Sequence, residues 1–76
     1  MIKNIISISP QVLGGTPVFS GTRVPIQNLF DYIEGGYTIE QFLKGFPSVR
    51  KEQVIEIIHI AESILTSEKF VHENLA

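Results

Sequence analysis

The pattern of hydrophobic and polar positions changes period once along the chain. Ile2, Ile5, Ile6 and Ile8, set among small polar residues, predict a short β-branched strand. Pro10 and the pair Gly14-Gly15 then punctuate the chain. Pro17-Val18-Phe19 and Arg23-Val24 flank Ser20-Gly21-Thr22, a tight turn between two short extended pieces. Pro25 cannot donate to a ladder, so the second piece ends there or lies on an edge. An isolated hairpin is marginal in water, so this front part needs something to pack on.

From Ile26 the period becomes helical. Ile26, Leu29, Phe30 and Ile33 fit the i, i+3, i+4, i+7 template, with Pro25 suited to a first turn and Gly35-Gly36 as the stop. A second helix opens at Thr38-Ile39-Glu40-Gln41, a capping-box sequence, shows Ile39, Phe42 and Leu43 on one face, and ends at Gly45 and Pro47. A third runs from about Arg50 to Leu65. Its polar stripe is Glu52, Glu56, His59 and Ser63, with Glu62 beside it, and nearly everything else from Val54 on is apolar. A surface helix needs only about a 100° apolar stripe. This one is wider, so it should be covered on two sides, by the domain core and by another chain. The pattern predicts a mainly α, three-helix domain of helix-turn-helix type with a short N-terminal β-hairpin-like part. Residues 1–25 form the arm, 26–66 the trihelical core and 67–76 a tail bearing Phe70, Val71 and Leu75.

Size sharpens the expectation of a partner. A chain of 76 residues is one small domain, and a single core of this size rarely supplies more than a few kcal/mol of stability. There are no cysteines for staples, and His59 and His72 are too far apart in sequence for a local metal pair. At 43% hydrophobic and 18% charged, the chain is too apolar for disorder and slightly apolar for a solitary domain. A homodimer is expected. No apolar run approaches a membrane span, and the N-terminus shows no signal-peptide core, which fits a cytoplasmic protein. Net charge is −2, so nucleic-acid binding would have to come from a local basic patch.

Two segments carry candidate chemistry. In a helix-turn-helix, the third helix lays its N-terminal residues along base edges. Here that start carries Arg50, Lys51 and Gln53, with Lys44 nearby, residue types apt for guanine, adenine and phosphate. An ordinary helical bundle with a solvated basic corner fits the same pattern. The second segment is the loop Gly14, Gly15, Gly21, Thr22, Arg23, Pro25. It lacks the Lys and Ser/Thr that follow a phosphate-binding loop's second glycine. Its glycines read as geometric, and Arg23 as a structural or interface arginine making buried or bidentate hydrogen bonds. Ser, Thr and carboxylates show no nucleophile–base spacing. No enzymatic activity and no cofactor are expected.

The loop also carries a resemblance. Gly14-Gly15, Pro17-Val18, Gly21-Thr22-Arg23-Val24-Pro25, Gly36-Tyr37-Thr38-Ile39-Glu40 and Phe46-Pro47 together resemble the bacterial family known as domain of unknown function 433, over roughly residues 5 to 62. The resemblance implies a homeodomain-like fold and the antitoxin half of a type II toxin–antitoxin pair. Such antitoxins bind a toxin, often PIN-like, and repress their own operon. One departure stands out: Arg50 occupies a position where the family often has Ser or Thr. Either Ser48 caps a helix that starts two residues earlier, or Arg50 is placed to meet phosphate.

The expectation is therefore a dimeric antitoxin that binds operator DNA through the third helix and a toxin through apolar surface such as Phe70, Val71 and Leu75. Its rival is a protein-interaction module of the same shape that never touches DNA.

Overall fold

The computed structural model describes residues 5–11 and 13–75. Ile2, part of the predicted first strand, lies outside them. Two strands, β1 (Ile6–Ser7) and β2 (Val18–Phe19), precede four helices: α1 (Ile26–Glu34), α2 (Ile39–Gly45), α3 (Lys51–Leu65) and α4 (Glu68–Asn74). The chain is thus mainly helical, with a two-stranded antiparallel sheet near its N-terminus. Ile6 pairs with Phe19 and Ser7 with Val18. The far edge of β2 is taken by residues 24–26, through the Val18–Pro25 bridge and two 3.0 Å bonds, Phe19 N–H to the Val24 carbonyl and Ile26 N–H to the Pro17 carbonyl. Pro25 ends this extended piece and stands immediately before α1, in extended conformation at φ −62° and ψ 141°.

Each helix boundary has a local cause. At the end of α1, Gly36 takes φ +86°. That lets its N–H reach the Ile33 carbonyl at 3.0 Å while Tyr37 N–H reaches the Tyr32 carbonyl at 2.9 Å. These are the two bonds of a Schellman stop, and the Tyr32 and Tyr37 rings close over it at 5.2 Å. At the start of α2 the predicted capping box is present. The Thr38 hydroxyl accepts from Gln41 N–H at 3.1 Å, and Gln41 Oε1 accepts from Thr38 N–H at 2.7 Å.

The core is small, four aliphatic side chains around two phenylalanines. Phe19 from β2, Leu29 from α1, Phe42 from α2, Val49 from the α2–α3 connection, and Val54 and Ile57 from α3 form one buried cluster. Phe42 is its hub, with ring centroids 5.9 Å from Phe19, 5.4 Å from Tyr32 and 5.0 Å from Phe46. The sheet is stable here because Phe19 is part of that cluster.

The tail differs from expectation. Within the segment expected as a tail, residues 68–74 form α4 in the single chain. Ser67 Oγ accepts from Phe70 N–H at 3.2 Å and donates to the Ile64 carbonyl at 3.0 Å, so one hydroxyl closes α3 and opens α4. Glu68 then stands in the first turn, where the helix dipole favours an acid. The last buried residue of α3 is Ile57, and α4 buries none. The radius of gyration is 13.7 Å, above the roughly 11 Å of a compact chain this long. The second half of α3 and all of α4 stand beyond the core.

Candidate functional site

The start of α3 is built around Gln53, one of the most buried side chains of the domain at 2% exposure. α3 begins at Lys51 with Arg50 as its flanking residue, so Ser48 does not cap an earlier start. A guanidinium has no acceptor and cannot replace a capping hydroxyl. Gln53 makes the reach-back half of a capping box: its Oε1 accepts from Arg50 N–H at 2.9 Å, while Gln53 N–H is met by the Arg50 carbonyl at 3.0 Å. Its Nε2 donates to the Ser20 carbonyl at 3.0 Å, a bond spanning 33 residues. The amide therefore fixes the first turn of α3 and staples it to the loop after β2.

That loop is a tight turn. Thr22 N–H donates to the Phe19 carbonyl at 3.0 Å, and Gly21 at the third position has φ +76°, as a type II turn requires. The Thr22 hydroxyl donates to the Phe19 carbonyl at 2.7 Å and accepts from Val24 N–H at 3.0 Å. Gly14 and Gly15 also have positive φ, 66° and 91°, and Leu13 shares it at 49°. The geometric role expected of the loop glycines is what the backbone shows.

The candidate residues divide as follows. Lys44 lies in the last turn of α2, and Arg50 and Lys51 open α3 across the short Phe46–Val49 turn; all three are exposed. Gln53 is a correction. It faces inward with both ends of its amide engaged, so it belongs to the scaffold and not to the surface that Lys44, Arg50 and Lys51 share. Of the two roles expected of Arg23, the buried one does not hold and the interface one is left open. Arg23 is exposed, and among the described residues it makes neither a side-chain hydrogen bond nor an ion pair. The staple of Ser20 onto Gln53 holds its turn at the same end of the fold as Arg50. Sequence reasoning misses the staple, although a signal exists: Gln53 follows Arg50 at the spacing by which Gln41 follows Thr38.

Charge is distributed unevenly. Four of the six basic residues are Arg23, just after the turn stapled to α3, and Lys44, Arg50 and Lys51, which flank the α2–α3 connection, with Glu52 next to Lys51. Most of the eight acids lie elsewhere, and Glu56 and Glu62 continue the exposed side of α3. The one His–carboxylate contact among the described residues is His59 Nε2 to Glu62 Oε1 at 4.0 Å, on the surface and an ion pair only with a protonated imidazole; no described carboxylate comes within ion-pair distance of Arg23, Lys44, Arg50 or Lys51.

Apolar surface gathers in two other places. Ile6, Pro17, Ile26 and Phe30 line a groove between the sheet and α1, with Thr16 and Gln27. At the opposite end of the sequence, Ile64 and Leu65 are more than half exposed and Leu75 is 72% exposed. Phe70 and Val71 are half-buried. No helix among the described residues is long and apolar enough to cross a membrane.

The chain is similar to an uncharacterized protein, y4eO, of Sinorhizobium fredii (strain NBRC 101917 / NGR234), with 38% identity over 52 residues. That match takes in 68% of this chain but only 24% of the relative, so the chain spans about a quarter of the length of that protein. No solved structure matches it. The model of the family described as protein of unknown function DUF433 matches residues 6–61, spanning β1 to most of α3, and the chain belongs to that family.

Proposed function

We propose that the protein is the antitoxin of a type II toxin–antitoxin pair, acting in the cytoplasm as a homodimer. It docks its basic end on operator DNA and binds a PIN-like, nuclease-like toxin through apolar surface. In this reading α2, the Phe46–Val49 turn and α3 act as a helix-turn-helix pair. The observation that carries it is the separation of charge: the exposed cations concentrate at the start of α3, while apolar surface is left open elsewhere. Phosphate contacts supply most of the affinity of such proteins, and a helix-turn-helix reads bases from the start of its third helix. Gln53 supports the reading as a scaffold residue, since it fixes the backbone that presents Arg50 and Lys51. Glu52 already stands in the first turn, and beyond it α3 turns acidic at Glu56 and Glu62, so contact is by the end of the helix and not its length.

Gel-shift titration on the DNA upstream of the gene tests this. The triple variant K44A/R50A/K51A should bind more weakly. Its slope of log affinity against log salt should fall by about one for each phosphate that no longer meets a cation. Unchanged affinity removes this surface. The acids along α3 favour one alternative, a protein-interaction module of the same shape. Co-purification of a neighbouring gene's product with no DNA binding at low salt selects that alternative.

A further inference from the structure

We infer that the groove between the end of α3 and α4 is the seat of a second copy of this chain, joined by a two-fold axis that sets the two α4 helices antiparallel. This deepens the homodimer part of the reading above, by naming the face. It gives Phe70 to the second copy instead of the toxin.

The groove is lined by Ser63, Ile64, Ser67, Lys69, Phe70 and Glu73, and holds about 350 Å³. Its floor is Ile64 and Phe70. Its charged rim is one cation, Lys69, and one anion, Glu73, which stand one helical turn apart on α4. Neither forms an ion pair among the described residues. A rim with one charge of each sign is self-complementary. Turned about a two-fold axis that crosses the α4 face midway between Lys69 and Glu73, Lys69 of each chain meets Glu73 of the other, and the pair occurs twice. That is the signature of an isologous contact, in which each chain offers the same patch. A rim of zero net charge offers nothing to polyanionic DNA and no preference for a strongly charged protein.

The exposed apolar residues continue from the groove. Leu65, next to Ile64, is 59% exposed, and Ile60 and Ala61, one turn before Ile64 on α3, are only partly covered. A stable dimer takes roughly 600–800 Å² from each partner. That is between a tenth and a seventh of the 5599 Å² this chain exposes.

Sedimentation equilibrium of the 76-residue chain and four variants tests the inference. The parent should have twice the 8.5 kDa chain mass at micromolar concentration. Ile64→Asp should be monomeric, with the helix content and melting of a folded domain. Lys69→Glu and Glu73→Lys each set like charges against each other at both ends of the interface, and each should weaken the dimer by about tenfold or more. The double variant K69E/E73K restores opposite pairs and should return toward the parent affinity. An equimolar mixture of the two single variants should pair preferentially as a heterodimer. A parent that stays monomeric at these concentrations overturns the second copy altogether. A parent dimer indifferent to all three charge variants overturns this face while leaving dimerisation intact. Both failures are separate from the gel-shift result, which reads the other end of the molecule.

Discussion

The two halves of α3 are made of much the same residues and meet different surroundings. In the first half Gln53, Val54 and Ile57 are buried, and the helix start is tied to the loop after β2. In the second half Ile64 and Leu65 stand more than half exposed, beside α4 and beyond the core. Ile57 and Ile64 make the contrast plain: they are seven residues apart, two helical turns along one face, yet 5% and 51% exposed. The helix does not change character between them; the domain simply ends beneath it. Apolar periodicity in a sequence reports that a face will be covered, and is silent about whether its own chain does the covering.

The largest effect expected from this contrast is on stability. Ile57→Ala removes atoms from a closed cluster and should cost about 2–5 kcal/mol, measured by chemical denaturation. Ile64→Ala removes the same atoms from a surface, and in dilute solution should stay within about 0.5 kcal/mol. The contrast sharpens if the Ile64→Ala penalty grows with protein concentration, because mass action then adds the weakened hold on a second chain. Equal penalties for both at all concentrations would break it, since α4 alone would then bury Ile64 as well as the core buries Ile57.

Next comes the staple. Gln53→Ala orphans Arg50 N–H and the Ser20 carbonyl, two polar groups at the edge of the core, and should cost about 1–3 kcal/mol. Gln41→Ala removes the equivalent reach-back bond at an exposed helix start, where water replaces the missing partner, so its cost should be well under that. Thermal melts of the two variants make the comparison. Equal shifts would mean that the bond to Ser20 adds nothing to the cap. Gly21→Val acts on the other side of the same staple. No atom lies within 4 Å of a Cβ built at Gly21, so any penalty comes from φ +76° alone, and about 1–3 kcal/mol is expected from that strain.

Much of this fold is legible in the sequence, for reasons that are local. Thr38 and Gln41 announce their capping box because every group in it lies within four residues. Gly36 marks the end of α1 for the same reason, as does Ser20-Gly21-Thr22 for its turn. Gln53 reads as a surface residue in the sequence because its decisive partner, Ser20, is 33 residues away. Residue type alone cannot tell an amide that reads a base from one that staples a loop. Arg23 shows the same limit from the other side: its motif fits a structural or an interface arginine, and in the single chain it is exposed and unpaired among the described residues. The tail reads as an extension because a helix of seven residues carries too little periodicity to declare itself. The hydroxyl of Ser67, three residues ahead of Phe70, is the available sign.

The smallest effect, and the one that tests the far end of the contrast, is at Ser67. Its hydroxyl holds both the last turn of α3, through the Ile64 carbonyl, and the first turn of α4, through Phe70 N–H. Removing a capping serine costs about 0.5–1 kcal/mol in ordinary settings. Because α4 has no buried residue, Ser67→Ala should leave the global melt of the dilute chain almost unmoved. The loss should appear locally, as faster hydrogen exchange at the amides of Phe70 and Val71, which sit in the turn that the hydroxyl secures. If two α4 helices pack against each other, exchange at these amides in the parent should slow as concentration rises. The variant should need a higher concentration to reach the same protection. A melt lowered by several degrees at high dilution would instead place α4 inside the cooperative unit of the monomer, and the division of α3 into a covered half and an open half would no longer describe the molecule.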